Sequence, residues 1–347
     1  MNSPRGAESL SELILGIESS CDETAAAIVE SGHRIVSSEI HSQIAEHAVY
    51  GGVVPEIAGR SHLEKILPVV DAALDAAGLE LDDLAGIAVT NRPGLIGSLL
   101  VGLSAAKALA FVRGLPLIGV HHIEAHAYAA TMELEEKPWP CLALVVSGGH
   151  TSLYIAHSAL ELVPIANTLD DAAGEAFDKV AWILGLGYPG GPEVSKLARD
   201  GDPNAIPFPR YRSKDGSIGF SFSGLKTAVL YHVRGGDALA PTPPPEEIAA
   251  RADVAASFEE AVVDSLVSQT LKAARKHGLE RILVAGGVAC NHRLREVMRE
   301  RASAEGCTAH FPDPEWCTDN AVMIAGLGWE LFKAGAVSDL NLDASPR

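Results

Sequence analysis

The sequence has no long, uncharged apolar run, and its first residues have no apolar core of the kind found in secretory signal peptides. Its longest apolar stretches have the length of strands or of alanine-rich helices interrupted by charges. We therefore expect neither a membrane span nor a leader. Residues 1–12 are polar and of mixed charge, and we expect them to form a disordered tail.

Paired cysteines and a surplus of basic residues are also absent. Five cysteines are scattered without the spacing of a zinc site, which favours a reducing, cytoplasmic location. The 27 lysines and arginines against 45 acidic residues give a net charge of −18, which argues against binding nucleic acid by bulk attraction alone. Any contact with RNA then requires a local basic patch or a partner subunit.

The chain is rich in alternating strand and helix patterns, which are typical of an α/β protein. Its 347 residues, 47% of them hydrophobic, suffice for about two domains. Three successive strand patterns occur near the start and again after Pro140, and each set leads into a helix and further strand–helix units. We predict two lobes from these copies. Their boundaries are 13–121 plus about 322–337 for the first lobe, and 122–321 for the second, with an insertion at 185–251 that is rich in Gly and Pro and forms loops.

Two histidines four residues apart, His122 and His126, follow a predicted strand and begin a predicted helix. Positions i and i+4 share a helix face, so both imidazoles can bind one cation, and imidazole suits zinc, iron, copper and nickel. A histidine pair that binds no metal is the alternative. Glu124 follows His122 by two residues and turns to another face, unlike the general base of His-Glu-x-x-His peptidases, so peptidase chemistry is disfavoured.

A polar turn follows the first strand of each copy. The turn at 147–151 contains two glycines, whose backbone amides can approach an anion closely, although a plain hairpin turn explains them equally well. The corresponding turn at 18–24 is acidic instead. The two turns predict a site for a phosphate and a cation.

Further candidate residues lie where helices begin. Asp171, Glu175 and Asp178 have helical spacing, and they form either a solvated acidic face or a site where one carboxylate accepts from ribose hydroxyls. Asn291 follows a Gly-Gly turn as a helix N-cap or as part of a seat for adenosine. Asp319 either caps the last helix or completes a metal site with the two histidines.

Together these segments resemble the universal tRNA threonylcarbamoyladenosine transferases, a family formerly described as sialoglycoprotein endopeptidases. The resemblance spans about residues 13–337. The segments that match are 17–24, 50–56, 122–126, 146–151, 170–179, 188–192, 220–227, 285–288 with Asn291, and 317–320. The His-x-Glu-Ala-His form is similar to that of bacterial or organellar members.

The resemblance implies a duplicated actin-like (ribonuclease-H-like) α/β fold, in which two lobes have mixed sheets flanked by helices. It implies transfer of a threonylcarbamoyl group from threonylcarbamoyl-AMP to the exocyclic amine of the adenosine 3′ of the anticodon in tRNAs, with release of AMP. By matching position, one iron ion, or alternatively zinc, would be bound by His122, His126 and Asp319. Asp22 and Glu23 match the acidic pair of the family's first turn, for which we predict a catalytic role. The adenylate would be held by Val145, Val146, Ser147, Gly148, Gly149, Asp178, Gly191 and Asn291.

The resemblance also implies partners. These are tRNA, a paralogous actin-fold subunit and an accessory P-loop ATPase, in the cytoplasm and without a membrane. Lys226 is either a contact for an anionic ligand or RNA, or an exposed surface lysine. His150 is a candidate hydrogen-bonding group, without a predicted role in proton transfer.

The chain departs from the family pattern at Asn91-Arg92-Pro93-Gly94, where Gly-Pro-Gly is usual. Arg92 either prevents a close backbone approach or adds a cation toward RNA or substrate. Two rival functions remain. Sugar and acetate kinases share the fold but need an acidic base and magnesium held by carboxylates and waters, so the histidine pair favours the transferase. A non-catalytic paralogue would be expected to lack the histidine pair and the adenylate-binding turns.

Overall fold

The computed structural model describes residues 12–213, 215–237 and 240–346. The predicted disordered tail therefore lies outside the described residues except for Glu12, whose carbonyl accepts a hydrogen bond from Ser31 N–H at 2.9 Å. The chain divides into two compact units. Of the described residues, the first unit comprises 12–43, 55–125 and 320–346, and the second comprises those within 44–54 and 126–319.

Each unit contains one five-stranded sheet. The strands of the first unit are β1 (Leu13–Glu18), β2 (Glu23–Glu30), β3 (Arg34–Ser42), β4 (Gly86–Arg92) and β5 (Leu117–His121). Those of the second are β6 (Cys141–Val146), β7 (Thr151–Ser158), β8 (Glu161–Asn167), β9 (Arg281–Ala285) and β10 (Thr308–His310). The helices are α1 (Ile44–Ala48), α2 (Pro55–Ala77), α3 (Ile96–Arg113), α4 (His122–Ala129), α5 (Ala173–Ile183), α6 (Gly190–Ala198), α7 (Ser223–Val233), α8 (Arg251–His277), α9 (His292–Ala304) and α10 (Ala321–Lys333).

The two sheets have the same topology. Read from the antiparallel edge, their strand orders are β3-β2-β1-β4-β5 and β8-β7-β6-β9-β10. In each sheet the first three strands form an antiparallel meander, and two parallel strands follow. The predicted duplication of a three-strand meander followed by strand–helix units is therefore confirmed.

The central strand of each sheet is buried on both faces. All six residues of β6 are buried, as are the last five of β1, which explains why both strands are almost continuously apolar. Helix α10 packs directly on β1. A Cβ atom at Gly16 would come within 2.3 Å of the carbonyl oxygen of Ala321, so this packing requires glycine. This close approach brings the start of α10 to the middle of the first sheet.

The second unit differs from the prediction in one segment. The insertion at 185–251 was expected to form loops, but helices α6 and α7 lie within it, and the 27-residue α8 follows it directly. Glycine and proline predicted irregular structure there, whereas tertiary packing forms helices. Val194 of α6 and Leu225 and Val229 of α7, for example, are buried in the hydrophobic core of the second unit.

Helix α3 bears on the expectation that the chain has no membrane span. By length and composition it is the one helix of the described segments that is apolar enough to cross a membrane, although a core helix of a soluble protein passes the same test. One face, including Leu99 and Leu103, is buried in the first unit, where α3 packs on α2 and β4. Leu100 and Val112 of the same helix are exposed.

Candidate functional site

Helix α4 positions the two histidines. Strand β5 ends at His121 and α4 begins at His122, so that His122 and His126 lie one helical turn apart, and both are buried. The Nε2 atom of His126 lies 3.1 Å from Oδ1 of Asp319. The division into units falls within this continuous helix, after Ala125.

Asp319 contacts His126 although the sequence also allowed it to be the cap of the last helix. That cap is Asn320, whose side-chain oxygen accepts a hydrogen bond from Met323 N–H at 3.0 Å. The capping alternative for Asp319 is therefore wrong. With the helix start satisfied by its neighbour, the Asp319 carboxylate faces the imidazole.

His122, His126 and Asp319 form a possible metal site. One ligand atom from each of the three side chains lies within 4.8 Å of the others. Two ligands bound at about 2.1 Å to one ion are about 3–4 Å apart, so small side-chain movements would bring all three onto an ion. Two imidazoles and one carboxylate suit iron or zinc and leave positions for substrate. The residues present therefore fit the expected metal.

A fully buried carboxylate orients His122. Glu18, the last residue of β1, has Oε2 at 2.9 Å from Nδ1 of His122 and accepts a 2.7 Å hydrogen bond from the Thr90 hydroxyl. The backbone N–H of Ser20 donates to the other oxygen, Oε1, at 2.5 Å. When Nδ1 carries the proton toward Glu18, the lone pair of Nε2 is left for a metal. The sequence pattern contained Glu18 but gave it no role.

Glu124 is not one of the three clustered side chains. Burial raises the pKa of its carboxyl group, and the nearby charge of Arg92 acts in the opposite direction. Arg92 is exposed at the end of β4. The close backbone approach in this segment belongs instead to Gly94, where a Cβ would lie 2.7 Å from the carbonyl oxygen of Ser20.

The acidic turn after β1 is held by a buried histidine. His62 of α2 pairs through Nδ1 with the Thr24 hydroxyl at 2.7 Å and through Nε2 with the Cys21 carbonyl at 2.9 Å. Burial lowers the pKa of His62. Asp22 is buried in this turn, whereas Glu23 is partly exposed and accepts a hydrogen bond from the Ser42 hydroxyl at 3.1 Å.

The glycine-rich turn lies between β6 and β7. Ser147 N–H donates to the His150 carbonyl at 2.8 Å, whereas Gly148 and Gly149 are exposed and have open space where side chains would be. Val145 and Val146 are fully buried in β6, so their side chains pack in the core.

Two other glycines lie close to this turn and to the end of β6. A Cβ at Gly174, in the first turn of α5, would meet the Ser147 carbonyl oxygen at 2.6 Å. One at Gly286, where φ is +90°, would meet that of Val146 at 2.3 Å. The start of α5 and the end of β9 therefore approach the turn as closely as backbone atoms allow.

The acidic residues near α5 are distributed differently from the prediction. Asp171 precedes the helix and pairs with Lys226 at 2.8 Å, so Lys226 is not a free surface lysine, and its contact with an anionic ligand or RNA stays a prediction. Asp178 accepts a 2.7 Å hydrogen bond from Gly190 N–H at the start of α6. The adjacent Gly191 has open space around it.

Asn291 is the N-cap of α9, as predicted, and its Oδ1 accepts from Leu294 N–H at 2.8 Å. Its Nδ2 donates to the Ser195 hydroxyl at 3.0 Å and to Oε1 of Glu259 at 2.7 Å. Ser195 and Glu259 were not among the predicted site residues, because no local pattern connects them with Asn291.

The comparisons with known proteins agree with the resemblance seen in the sequence. A family model described as tRNA N6-adenosine threonylcarbamoyltransferase matches residues 34–326. Relatives of that name from Symbiobacterium thermophilum and Geobacter sulfurreducens are each 54% identical, over 336 and 332 residues, or 96% of this chain in both cases, and 96% and 95% of the relatives. The chain belongs to this family. It is a tRNA-modifying transferase, and the predicted enzyme class is confirmed.

Solved structures support the fold. Full-length HypF in its phosphate- and nucleotide-bound form has a TM-score of 0.63 at 13% identity, covering 95% of this chain and 48% of HypF. Component A of (R)-2-hydroxyglutaryl-CoA dehydratase from Acidaminococcus fermentans has a TM-score of 0.52 at 16% identity, covering 94% of this chain and all of that one. The predicted actin-like fold is thus confirmed.

Removing the charge of Glu18 tests its effect on His122. We expect Glu18→Gln to weaken metal binding about 10- to 100-fold, because the amide is a poorer acceptor for the His122 N–H. Competition with a chelator, followed by metal analysis, measures this. Glu124→Gln is the matched control and should bind metal as the original protein does. Unchanged affinity in Glu18→Gln would refute the orienting role.

Proposed function

We propose that this chain transfers the threonylcarbamoyl group from threonylcarbamoyl-AMP to the exocyclic amine of the adenosine 3′ of the anticodon in tRNAs, releasing AMP. The observation that carries the proposal is the clustering of His122, His126 and Asp319 in a member of the threonylcarbamoyltransferase family. This cluster favours an acyl transferase over a magnesium-dependent kinase of the same fold.

The reaction requires one bond to form and one to break. The adenine amine attacks the carbamoyl carbonyl carbon, a C–N bond forms, and the C–O bond to the phosphate breaks with its electron pair leaving on AMP. The amine loses one proton. Because an adenine amine is a weak nucleophile, the chain must orient it beside the acyl group and accept that proton. We assign proton acceptance to the acidic pair Asp22 and Glu23.

The adenylate is proposed to lie on the second unit. Backbone N–H groups of Ser147, Gly148 and Gly149 would face its phosphate, because the two glycines are exposed and have space where side chains would otherwise project. Asp178 and Gly191 would border the nucleoside, together with Asn291. Val145 and Val146 would contribute through the backbone of β6, since their side chains are buried.

We propose iron as the resident metal, with zinc as the alternative. His122, His126 and Asp319 would hold the ion, with Glu18 orienting His122. When bound, such an ion supplies Lewis-acid polarisation of a carbamoyl or phosphate oxygen.

We further propose that the chain works in the cytoplasm with a paralogous actin-fold subunit and a P-loop ATPase. Because its net charge is −18, we expect such partners to form part of the surface that binds tRNA. For the paralogous subunit we propose the apolar groove between α2 and α3. Its lining includes Leu63, Leu67, Leu100 and Val112, and Leu63 and Val112 are 71% and 75% exposed.

The composition of this groove fits a protein better than RNA. The one charged residue lining it is Arg113, whose Nη1 is 3.3 Å from the Asp82 carboxylate. A surface that binds phosphates would instead present several unpaired cations.

The transferase assay uses unmodified tRNA, synthetic threonylcarbamoyl-AMP, ferrous or zinc ions, this protein and the candidate partners. Nucleoside mass spectrometry should detect threonylcarbamoyladenosine. His122→Ala should reduce the yield about 100-fold or more, since a metal ligand is lost. His157→Ala, which changes an exposed histidine of β7, should not. No product with folded protein and assembled partners would contradict the proposal.

The groove is tested separately with Leu63→Asp/Leu67→Asp, two exposed positions one turn apart on α2. We expect the complex with the paralogous subunit to be lost in size-exclusion chromatography, because two charges would have to be buried in an apolar interface. Leu160→Asp, at an exposed turn between β7 and β8, is the control. An intact complex with the double variant would show that the subunit docks elsewhere.

A further inference from the structure

The side chain of Asn291 has little freedom left. A primary amide has two N–H donors and a carbonyl oxygen, and here both donors and one acceptor position are used. The oxygen caps α9 at Leu294 N–H, and the nitrogen donates to Ser195 and Glu259. The amide is therefore fixed in one orientation by groups on two other helices.

Glu259 is the centre of this cluster. Its Oε1 atom accepts from the Ser195 hydroxyl at 2.6 Å as well as from Nδ2 of Asn291 at 2.7 Å. Hydrogen bonds to an ionised carboxylate are about twice as strong as those between neutral groups. One carboxylate oxygen of Glu259 on α8 thus accepts hydrogen bonds both from α6 and from the N-cap of α9.

The cluster adjoins the proposed adenylate site on both sides. Ser195 follows Gly191 by four residues on α6, so the two share a face of that helix. Asn291 ends the turn that follows β9 and contains Gly286, whose backbone lies against Val146. A shift of Asn291 or Ser195 would move backbone on either side of the nucleotide.

The neighbouring glutamate on α8 makes a different interaction. Glu260 pairs with Arg293 of α9, with Oε2 at 2.8 Å from Nε of the guanidinium. Glu259 and Glu260 therefore contact the same part of the second unit, but only Glu259 contacts Asn291 in the described structure. This gives a matched control for loss of one negative charge from α8.

We propose that Glu259 is a positioning residue for the adenylate, acting through Asn291 and Ser195. The inference rests on the proposed function, because it takes the nucleotide to be AMP or the AMP half of threonylcarbamoyl-AMP. Without the acceptor, the Asn291 amide and the Ser195 hydroxyl lose a shared partner and can rotate away from the orientation that the nucleotide meets. We assign the effect to binding, since Glu259 acts through its hydrogen bonds with Asn291 and Ser195.

The test compares Glu259→Leu, Glu259→Gln and Glu260→Gln in the full chain. Calorimetry with AMP gives the dissociation constant, and the transferase assay gives KM for threonylcarbamoyl-AMP and kcat. Glu259→Leu should raise the dissociation constant and KM about tenfold or more, with kcat changed less than about threefold. Glu259→Gln keeps an acceptor oxygen and should restore most of the affinity. Glu260→Gln should match the original protein.

The outcomes separate the two proposals. If the original protein binds AMP and transfers the group, but Glu259→Leu has unchanged affinity and KM, the positioning role is wrong. It is also wrong if kcat falls without a change in KM, or if Glu259→Gln is as impaired as Glu259→Leu. If the original protein neither binds AMP nor transfers the group, the proposed function itself fails. Ser195→Ala, which removes one donor, should give a smaller rise in KM and replaces Glu259→Leu if that variant does not fold.

Discussion

The buried carboxyl group of Glu18 is the constraint on which the first unit's part of the site depends. A carboxylate without solvent costs several kcal/mol unless donors surround it. Here the partners come from three places in the chain: the backbone N–H of Ser20 and the hydroxyl of Thr90 on β4 donate, and Nδ1 of His122 lies at 2.9 Å. The hydrogen bonds to the Glu18 carboxyl group therefore hold together the turn after β1, the end of β4 and the start of α4.

That arrangement gives His122 a defined orientation before any metal binds. An imidazole that donates from Nδ1 to a carboxylate is held in one tautomer, and its other nitrogen becomes a better ligand. His126 is placed by the same helix, and Asp319 is placed by the cap at Asn320. The three proposed ligands are therefore positioned by a helical turn, a helix cap and a buried hydrogen bond between side chains.

The duplication explains how one topology provides two kinds of site. In both units the first strand is buried and ends in a polar turn before an antiparallel partner. After β1 that turn is acidic and is held by His62, whereas after β6 it contains Gly148 and Gly149. We therefore propose that the turn of the first unit serves proton and cation chemistry and that the turn of the second unit binds an anion.

The sequence predicted features whose signals are local. The strand patterns, the spacing of His122 and His126 and the cap at Asn291 depend on residues a few positions apart, and the structure confirms them. The roles of Glu18 and Glu259 depend on partners 104 and 32 positions away, which no periodicity shows. Helix α6 was missed because it begins with Gly190, Gly191 and Pro192, whereas α7 has one glycine and no proline and was missed because the whole segment was expected to form loops. Packing against the core decides both outcomes.

We propose that two imidazoles and one carboxylate of this chain bind the metal. X-ray absorption at the metal edge of the iron- or zinc-loaded protein measures these ligands. We expect a first coordination shell of nitrogen and oxygen with scattering from two imidazole rings, reduced to one ring in His126→Ala. A shell containing sulfur, or two rings that persist in that variant, would contradict it.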